Sequence, residues 1–176
     1  MTLWRISRHA DLSGIGGVYA GGRWHTRGQR VVYLADHPAS CLLEMLVQAG
    51  RVEDLPPSYQ WLRVDGPDDV VADVGNLPSV WREDVAATRA RGDAWLASKE
   101  SALLRVPSVL APEASNYLLN PTHPDTPRFA IERSVDFPLD ERFQRFPRES
   151  RPYRPRAATP SAATQRRGQA RAVPTA

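Results

Sequence analysis

Six of the chain's eleven glycines fall between Gly14 and Gly28. A loop this rich in glycine lets backbone approach a ligand closely. It ends in Gly21-Gly22-Arg23-Trp24 and is followed by Val31-Val32-Tyr33-Leu34-Ala35 and Leu42-Leu43-Glu44. Arg23 at the end of the loop is therefore followed by Tyr33 and Glu44, each near the start or end of an expected element. Such parts suit an anionic, aromatic substrate on which one positive charge develops.

With 176 residues the chain is long enough for one domain with a real core. Charge is unevenly placed. Residues 147–176 hold seven arginines and one glutamate, a net of +6, against a formal +3 for the whole chain, which leaves −3 for residues 1–146. A mildly acidic body is a poor nucleic-acid surface. The tail also carries five of the sixteen prolines and almost nothing to bury, so it is expected to be disordered. The domain reading is thus 1–146 as the body and 147–176 as a basic Pro/Ala/Arg-rich extension. No apolar run approaches the ~20 residues of a membrane helix. The start, Met1-Thr2-Leu3-Trp4-Arg5, has no charged stretch followed by a long apolar one. One cysteine, Cys41, rules out an internal disulfide framework, and the cytoplasm is the expected compartment.

The body reads as α+β, with strands expected at 3–7, 30–35, 59–64, 70–74, 103–106, 109–111 and 129–135. A helix is predicted from Pro38, capped by Asp36 or His37, to about Ala49, with Gly50 as its stop. Residues 78–100 predict a mostly helical stretch broken at Gly92-Asp93. The segment from Pro112 to Pro121 reads as an ordered loop.

Each candidate site residue has a plainer reading beside the functional one. Leu42, Leu43 and Leu46 are expected to share an apolar helix face, with Glu44 off its centre. A solvated glutamate is the plain reading. A carboxylate beside a cleft, stabilising a cationic transition state or orienting a sugar hydroxyl, is the functional one. Arg23 is either one surface arginine among many or a hinged guanidinium that grips phosphate in two places. Tyr33 is either a core aromatic or a ring that stacks on a flat heterocycle. Ser108, between Pro107 and Val109, is a turn hydroxyl on the plain reading. Asn116 and Asn120 sit in turn-like sequence.

Other chemistries drop out. Gly14-Ile15-Gly16-Gly17-Val18-Tyr19 places Tyr19 where a dinucleotide fingerprint needs glycine, and no following helix is expected. His9, His25, His37 and His123 lack metal-ligand spacing, so no metal is expected. Cys41, on an apolar helix, reads as a small core residue.

Taken together, Gly21-Gly22-Arg23-Trp24, Tyr33, Glu44, Val106-Pro107-Ser108 and Asn116-Tyr117-Leu118-Leu119-Asn120-Pro121 resemble a RES-domain toxin. The resemblance runs from Trp4-Arg5 to Asp140-Glu141-Arg142-Phe143 and includes Trp95-Leu96. His25-Thr26 departs from it, since the family more often has Asn and a small residue there. The resemblance implies a mixed or antiparallel β core with flanking helices, like the ADP-ribosyltransferase fold. It implies a toxin of a bacterial toxin–antitoxin module, paired with an Xre-like antitoxin in a complex that can reach higher order. NAD⁺ is the implied substrate, cleaved at the nicotinamide–ribose bond by hydrolysis or phosphorolysis. Arg23 would bind the pyrophosphate or ribose side, Tyr33 would pack on nicotinamide and Glu44 would serve the ribose. Ser108 would hold nicotinamide or its ribose, with Asn116 also on the NAD⁺ side.

The chemistry is consistent with a single carboxylate. Breaking this bond passes through an oxocarbenium-like state, as in glycoside hydrolysis. Nicotinamide departs as a neutral molecule, so no second acid is needed to protonate it. The rivals are protein ADP-ribosylation from the same site, a nucleic-acid-binding module that works through the arginine tail, and an inactive relic that only binds antitoxin.

Overall fold

The computed structural model describes residues 1–49 and 58–138, together with 140 and 142. Seven strands form one mixed sheet in the order β4-β5-β6-β2-β1-β3-β7. They are β1 Thr2–Ser7, β2 Val32–Ala35, β3 Ser58–Asp65, β4 Val71–Asp73, β5 Leu103–Pro107, β6 Ser115–Leu119 and β7 Ala130–Pro138. Only β4 and β5 run parallel; the other pairings are antiparallel. Three helices flank the sheet: α1 Gly16–Tyr19, α2 Pro38–Ala49 and α3 Val85–Ser98. This is the expected α+β class.

Strands β5, β6 and β2 bury apolar side chains on both faces, as strands covered on both sides do. Leu103 and Leu119 join Leu3, Val32, Leu34, Leu62, Val64 and Phe129 in one core. Leu104, Val106 and Leu118 join Trp24, Val31, Trp81, Trp95 and Leu96 in the other. Side-chain alternation along each strand divides the two cores. β1 and β2 are paired at the single position Trp4–Ala35.

Several expectations are corrected. Residues 109–111 are bends, not a strand. The Ser108 hydroxyl accepts the Leu110 and Ala111 amides, both at 3.2 Å, and this folds the chain into a turn. The strand is β6, inside the segment expected to be a loop. The polar start of β6 hid it, and its partners on both sides, β5 and β2, create it. α3 continues through Gly92-Asp93, and residues 78–84 carry turns ahead of it. Its N-cap is Asp84, whose side chain accepts the Ala87 amide at 2.9 Å. Gly92 is not a breaker: a Cβ there would stand 1.8 Å from the Trp24 carbonyl oxygen. The expected 30–35 strand begins at Val32, and the glycine-dense stretch contains the single turn α1. Gly50, the expected stop of α2, and the tail 147–176 lie outside the described residues.

Candidate functional site

Asp36 fixes the start of α2 to the start of β6. Its amide donates to the Ser115 carbonyl at 3.2 Å, and its carboxylate accepts the Ser115 amide at 2.8 Å. His37 caps the helix, with Nδ1 accepting the Ala39 amide at 3.1 Å, and Pro38 follows where its missing N–H costs nothing. The inward side of α2 differs from the one expected. Leu43 and Val47 are exposed, at 39% and 55%. Leu42 and Leu46 are half-buried, and Cys41 and Glu44, one turn apart, also turn inward.

Cys41 donates its thiol proton to the Trp4 carbonyl at 3.0 Å. Burial pushes its pKa up to about 12, so it is no nucleophile near neutrality. Glu44 Oε1 accepts two hydrogen bonds, from Ser108 Oγ at 3.1 Å and Asn116 Nδ2 at 2.8 Å. Among the described residues, Oε2 accepts none, which leaves it for a ligand. Three of the candidates therefore meet at one carboxylate. Ser108, 4% exposed, is both the turn hydroxyl of its plain reading and a donor to Glu44.

Arg23 and Tyr33 form a second group. Tyr33 points to the same sheet face as Ala35, whose cross-strand partner is Asn116. Both groups thus lie over one face of β2 and β6, though among the described residues no hydrogen bond joins them. The Tyr33 hydroxyl accepts the Trp24 amide at 3.2 Å and lies 2.8 Å from His25 Nδ1. Burial raises its pKa to about 12, so it stays protonated at neutral pH.

One face of α3 holds the arginine loop. Thr88 donates to the Arg23 carbonyl at 2.9 Å and Arg89 Nε to the Gly22 carbonyl at 2.7 Å. Gly92 lets the Trp24 backbone touch the helix, and Asp93 accepts the Thr26 amide at 2.9 Å. Trp24 itself is buried against Trp81, with ring centroids 6.0 Å apart. The Arg23 guanidinium spends one bond, 2.8 Å from Nη1, on the Arg82 carbonyl. The Arg82 guanidinium lies 4.8 Å above the Trp81 ring.

The glycines serve this packing as much as any ligand. A Cβ on Gly22 would stand 2.5 Å from the Tyr33 hydroxyl, and one on Gly17 would stand 3.0 Å from His25 Nε2.

Sequence reasoning missed Arg5 and His25. Arg5 follows Trp4 in β1 and is half-buried, with one long hydrogen bond, 3.4 Å to Ser7 Oγ. Desolvation pulls its pKa down against the fields of Asp11 and Cys41. No carboxylate of the described residues pairs with it within salt-bridge distance. The signal was present: Arg5 shares a strand face with the buried Leu3, where an aliphatic residue is expected.

A cleft of about 360 Å³ opens beside Ser108, between Val74-Gly75, Arg82, Val106-Pro107 and Pro112–Ser115. Arg105 at its rim is neutralised by Asp73, with Nη2 at 2.8 Å from Oδ2. Among the described residues, no cluster of three His, Cys, Asp or Glu side chains is placed to hold a metal. None of their helices is long and apolar enough to cross a membrane.

Fold and site together define a mixed-sheet α+β protein with one oriented carboxylate and an arginine on a glycine-rich loop. The chain belongs to the RES domain family, whose model matches residues 2–140. It is 42% identical over 144 residues to a Pseudomonas putida protein named Toxin Res, covering 81% of this chain and 99% of that one. It is 38% identical over 137 residues to a Sphingobium protein named Prs ADP-ribosylating toxin, covering 70% of this chain and 84% of that one. A chain in the crystal structure of the M. tuberculosis MbcT-MbcA toxin–antitoxin complex shares the fold. Its TM-score is 0.64 at 22% identity, over 78% of this chain and 84% of that chain.

Proposed function

We propose that this protein is the toxin of a toxin–antitoxin module and that it cleaves NAD⁺ at the nicotinamide–ribose bond. The observation that carries the reading is Glu44, an inward-turned carboxylate oriented by Ser108 and Asn116 whose second oxygen accepts no hydrogen bond among the described residues. As nicotinamide departs, positive charge grows on the ribose carbon and ring oxygen. Oε2 of Glu44 faces that charge or binds a ribose hydroxyl. Because the carboxylate is held before substrate arrives, little reorganisation is needed at the transition state. Arg23, paired with no carboxylate among the described residues, supplies a cationic partner for the pyrophosphate. The Tyr33 ring offers a face to nicotinamide.

Transfer of ADP-ribose to a protein side chain is a second reading, favoured by the printed name of the Sphingobium relative. The two readings share the bond that breaks and differ in the acceptor. Incubating purified protein with NAD⁺, with and without phosphate and with candidate proteins, separates them. Free ADP-ribose indicates hydrolysis, the 1″-phosphate phosphorolysis, and mass added to a protein transfer. Intact NAD⁺ in every arm refutes both readings.

The toxin–antitoxin complex among the relatives supports an antitoxin partner, Xre-like by the family resemblance. Direct occlusion of the site around Glu44 and Arg23 by that partner requires NAD⁺ and antitoxin to weaken each other's binding by the same factor. Titrating antitoxin into the Glu44→Gln protein at several NAD⁺ concentrations tests this. An antitoxin affinity that does not move with NAD⁺ excludes occlusion.

A further inference from the structure

His25 stands in the loop that carries Arg23 and is 3% exposed. Nε2 lies 3.1 Å from the Ala20 carbonyl, which can only accept, so Nε2 carries the proton. Nδ1 is then the acceptor. It takes the Gly22 amide at 3.2 Å and the Tyr33 hydroxyl at 2.8 Å. The Tyr33 oxygen, having donated, accepts the Trp24 amide at 3.2 Å. One neutral imidazole thus holds the backbone on both sides of Arg23, directly at Gly22 and through Tyr33 at Trp24. The loop is built around this ring: a Cβ on Gly22 would meet Nδ1 at 2.9 Å, and one on Gly17 would meet Nε2 at 3.0 Å.

We propose that neutral His25 is a positioning residue that keeps Arg23 and Tyr33 in their binding geometry, and that protonating it withdraws the acceptor on which both depend. The proposal rests on the NAD⁺ reading for its effect on turnover, but not for its effect on the loop. A protonated ring has two donors and no acceptor, so Nδ1–H would face the Gly22 amide and the Tyr33 hydroxyl. The contact with the Gly22 amide would turn repulsive, and the Tyr33 hydroxyl would have to turn from donor to acceptor, accepting from Nδ1–H beside the Trp24 amide. The Gly22 amide would keep its 3.1 Å bond to the His25 carbonyl, so the loop would loosen rather than unfold.

The groups facing the ring are Tyr33 from β2, and Arg89 and Asp93 from α3; Gly17 of α1 and Ala20, which caps it, offer backbone carbonyls. Burial is the dominant influence and lowers the pKa. The Ala20 carbonyl and Asp93 favour the cation, and Arg89 opposes it. A folded-state value below the unfolded one fixes the sign. The contribution to stability is complete above the ordinary histidine value of ~6.5 and is lost as pH falls through the folded value.

Asparagine is the informative substitution. It sets Oδ1 where Nδ1 stands, keeps an acceptor for Tyr33 and Gly22, gives up only the Ala20 bond and does not titrate. Wild type, His25→Asn and His25→Leu are compared between about pH 5 and 8. Two readouts are taken: kcat and KM for NAD⁺, and amide exchange at Trp24 measured without NAD⁺. Wild type is expected to lose NAD⁺ affinity and Trp24 protection together on the acid side. His25→Asn keeps most of its neutral-pH turnover and loses that acid dependence in both readouts. His25→Leu is impaired about tenfold at every pH, the worth of one buried hydrogen bond. An acid limb and a Trp24 exchange profile unchanged in His25→Asn would overturn the proposal. If no variant turns over NAD⁺ but the exchange pattern appears as expected, the NAD⁺ reading fails and the His25 coupling stands.

Discussion

Replacing Gly92 by alanine tests how the site is held. In an exposed helix this substitution stabilises by about 1 kcal/mol, because alanine is the better helix former. Here the sign should reverse. The new Cβ would stand 1.8 Å from the Trp24 carbonyl oxygen and 2.8 Å from its carbon. Ordinary contact needs roughly 1.5 Å more. Neither side yields freely. The obstacle is backbone, and Trp24 is 2% exposed and packed on Trp81. Moving the loop off α3 also stretches the bonds from Thr88 to the Arg23 carbonyl and from Arg89 to the Gly22 carbonyl. Overpacking of this kind costs about 1–3 kcal/mol, and each strained hydrogen bond adds about 1. Less the helix-propensity gain, the net loss is about 3 kcal/mol, or a fall of about 6–12 °C in Tm for a domain of this size. Thermal unfolding followed by circular dichroism reads the stability, and KM for NAD⁺ reads the displacement of Arg23. Gly16→Ala is the control, since nothing lies within 4 Å of a Cβ there. A Gly92→Ala protein as stable as wild type would refute the claim that α3 clamps the arginine loop.

Arg23→Lys should weaken NAD⁺ binding while moving Tm little, since lysine can still reach one carbonyl but cannot present a planar fork to phosphate; equal NAD⁺ affinity in an isothermal titration would mean Arg23 is a surface charge. Cys41, with its pKa pushed up to about 12 by burial, should resist iodoacetamide at pH 8 in the folded protein and react once it is denatured; rapid labelling of the native chain, read by mass spectrometry, would contradict the inward placement of the Cys41–Glu44 face of α2.

What was legible in the sequence followed from local chemistry. The start of α2 was readable because a cap and a first-turn proline act within a few residues. The apolar run through Tyr33 predicted a buried strand, and the mixture of elements predicted the α+β class. What was hidden depends on partners far along the chain. Glu44 turns inward because its donors, Ser108 and Asn116, arrive from 64 and 72 residues away. Leu43 is left exposed by the same rotation, which an apolar-face count would not foresee. β6 begins with Ser115 and Asn116 and becomes a strand only because β5 and β2 flank it. Gly92 looked like a helix breaker because its neighbour, Trp24, is distant in sequence. The glycine density reads as close approach to a ligand, whereas the contacts at Gly17 and Gly22 are with the rings of His25 and Tyr33 and with the Gln29 carbonyl.

The central claim is that Glu44 stabilises the charge that develops when nicotinamide leaves. The direct measurement is single-turnover release of nicotinamide from NAD⁺ by wild type and Glu44→Gln, with circular dichroism confirming that both are folded. Glutamine keeps an oxygen for Ser108 and Asn116 but removes the charge. The expected result is a loss of about 10²–10³ in the rate of bond cleavage, the usual cost of one preorganised electrostatic contact, with NAD⁺ affinity little changed. Wild-type cleavage by a folded Glu44→Gln protein would contradict the account.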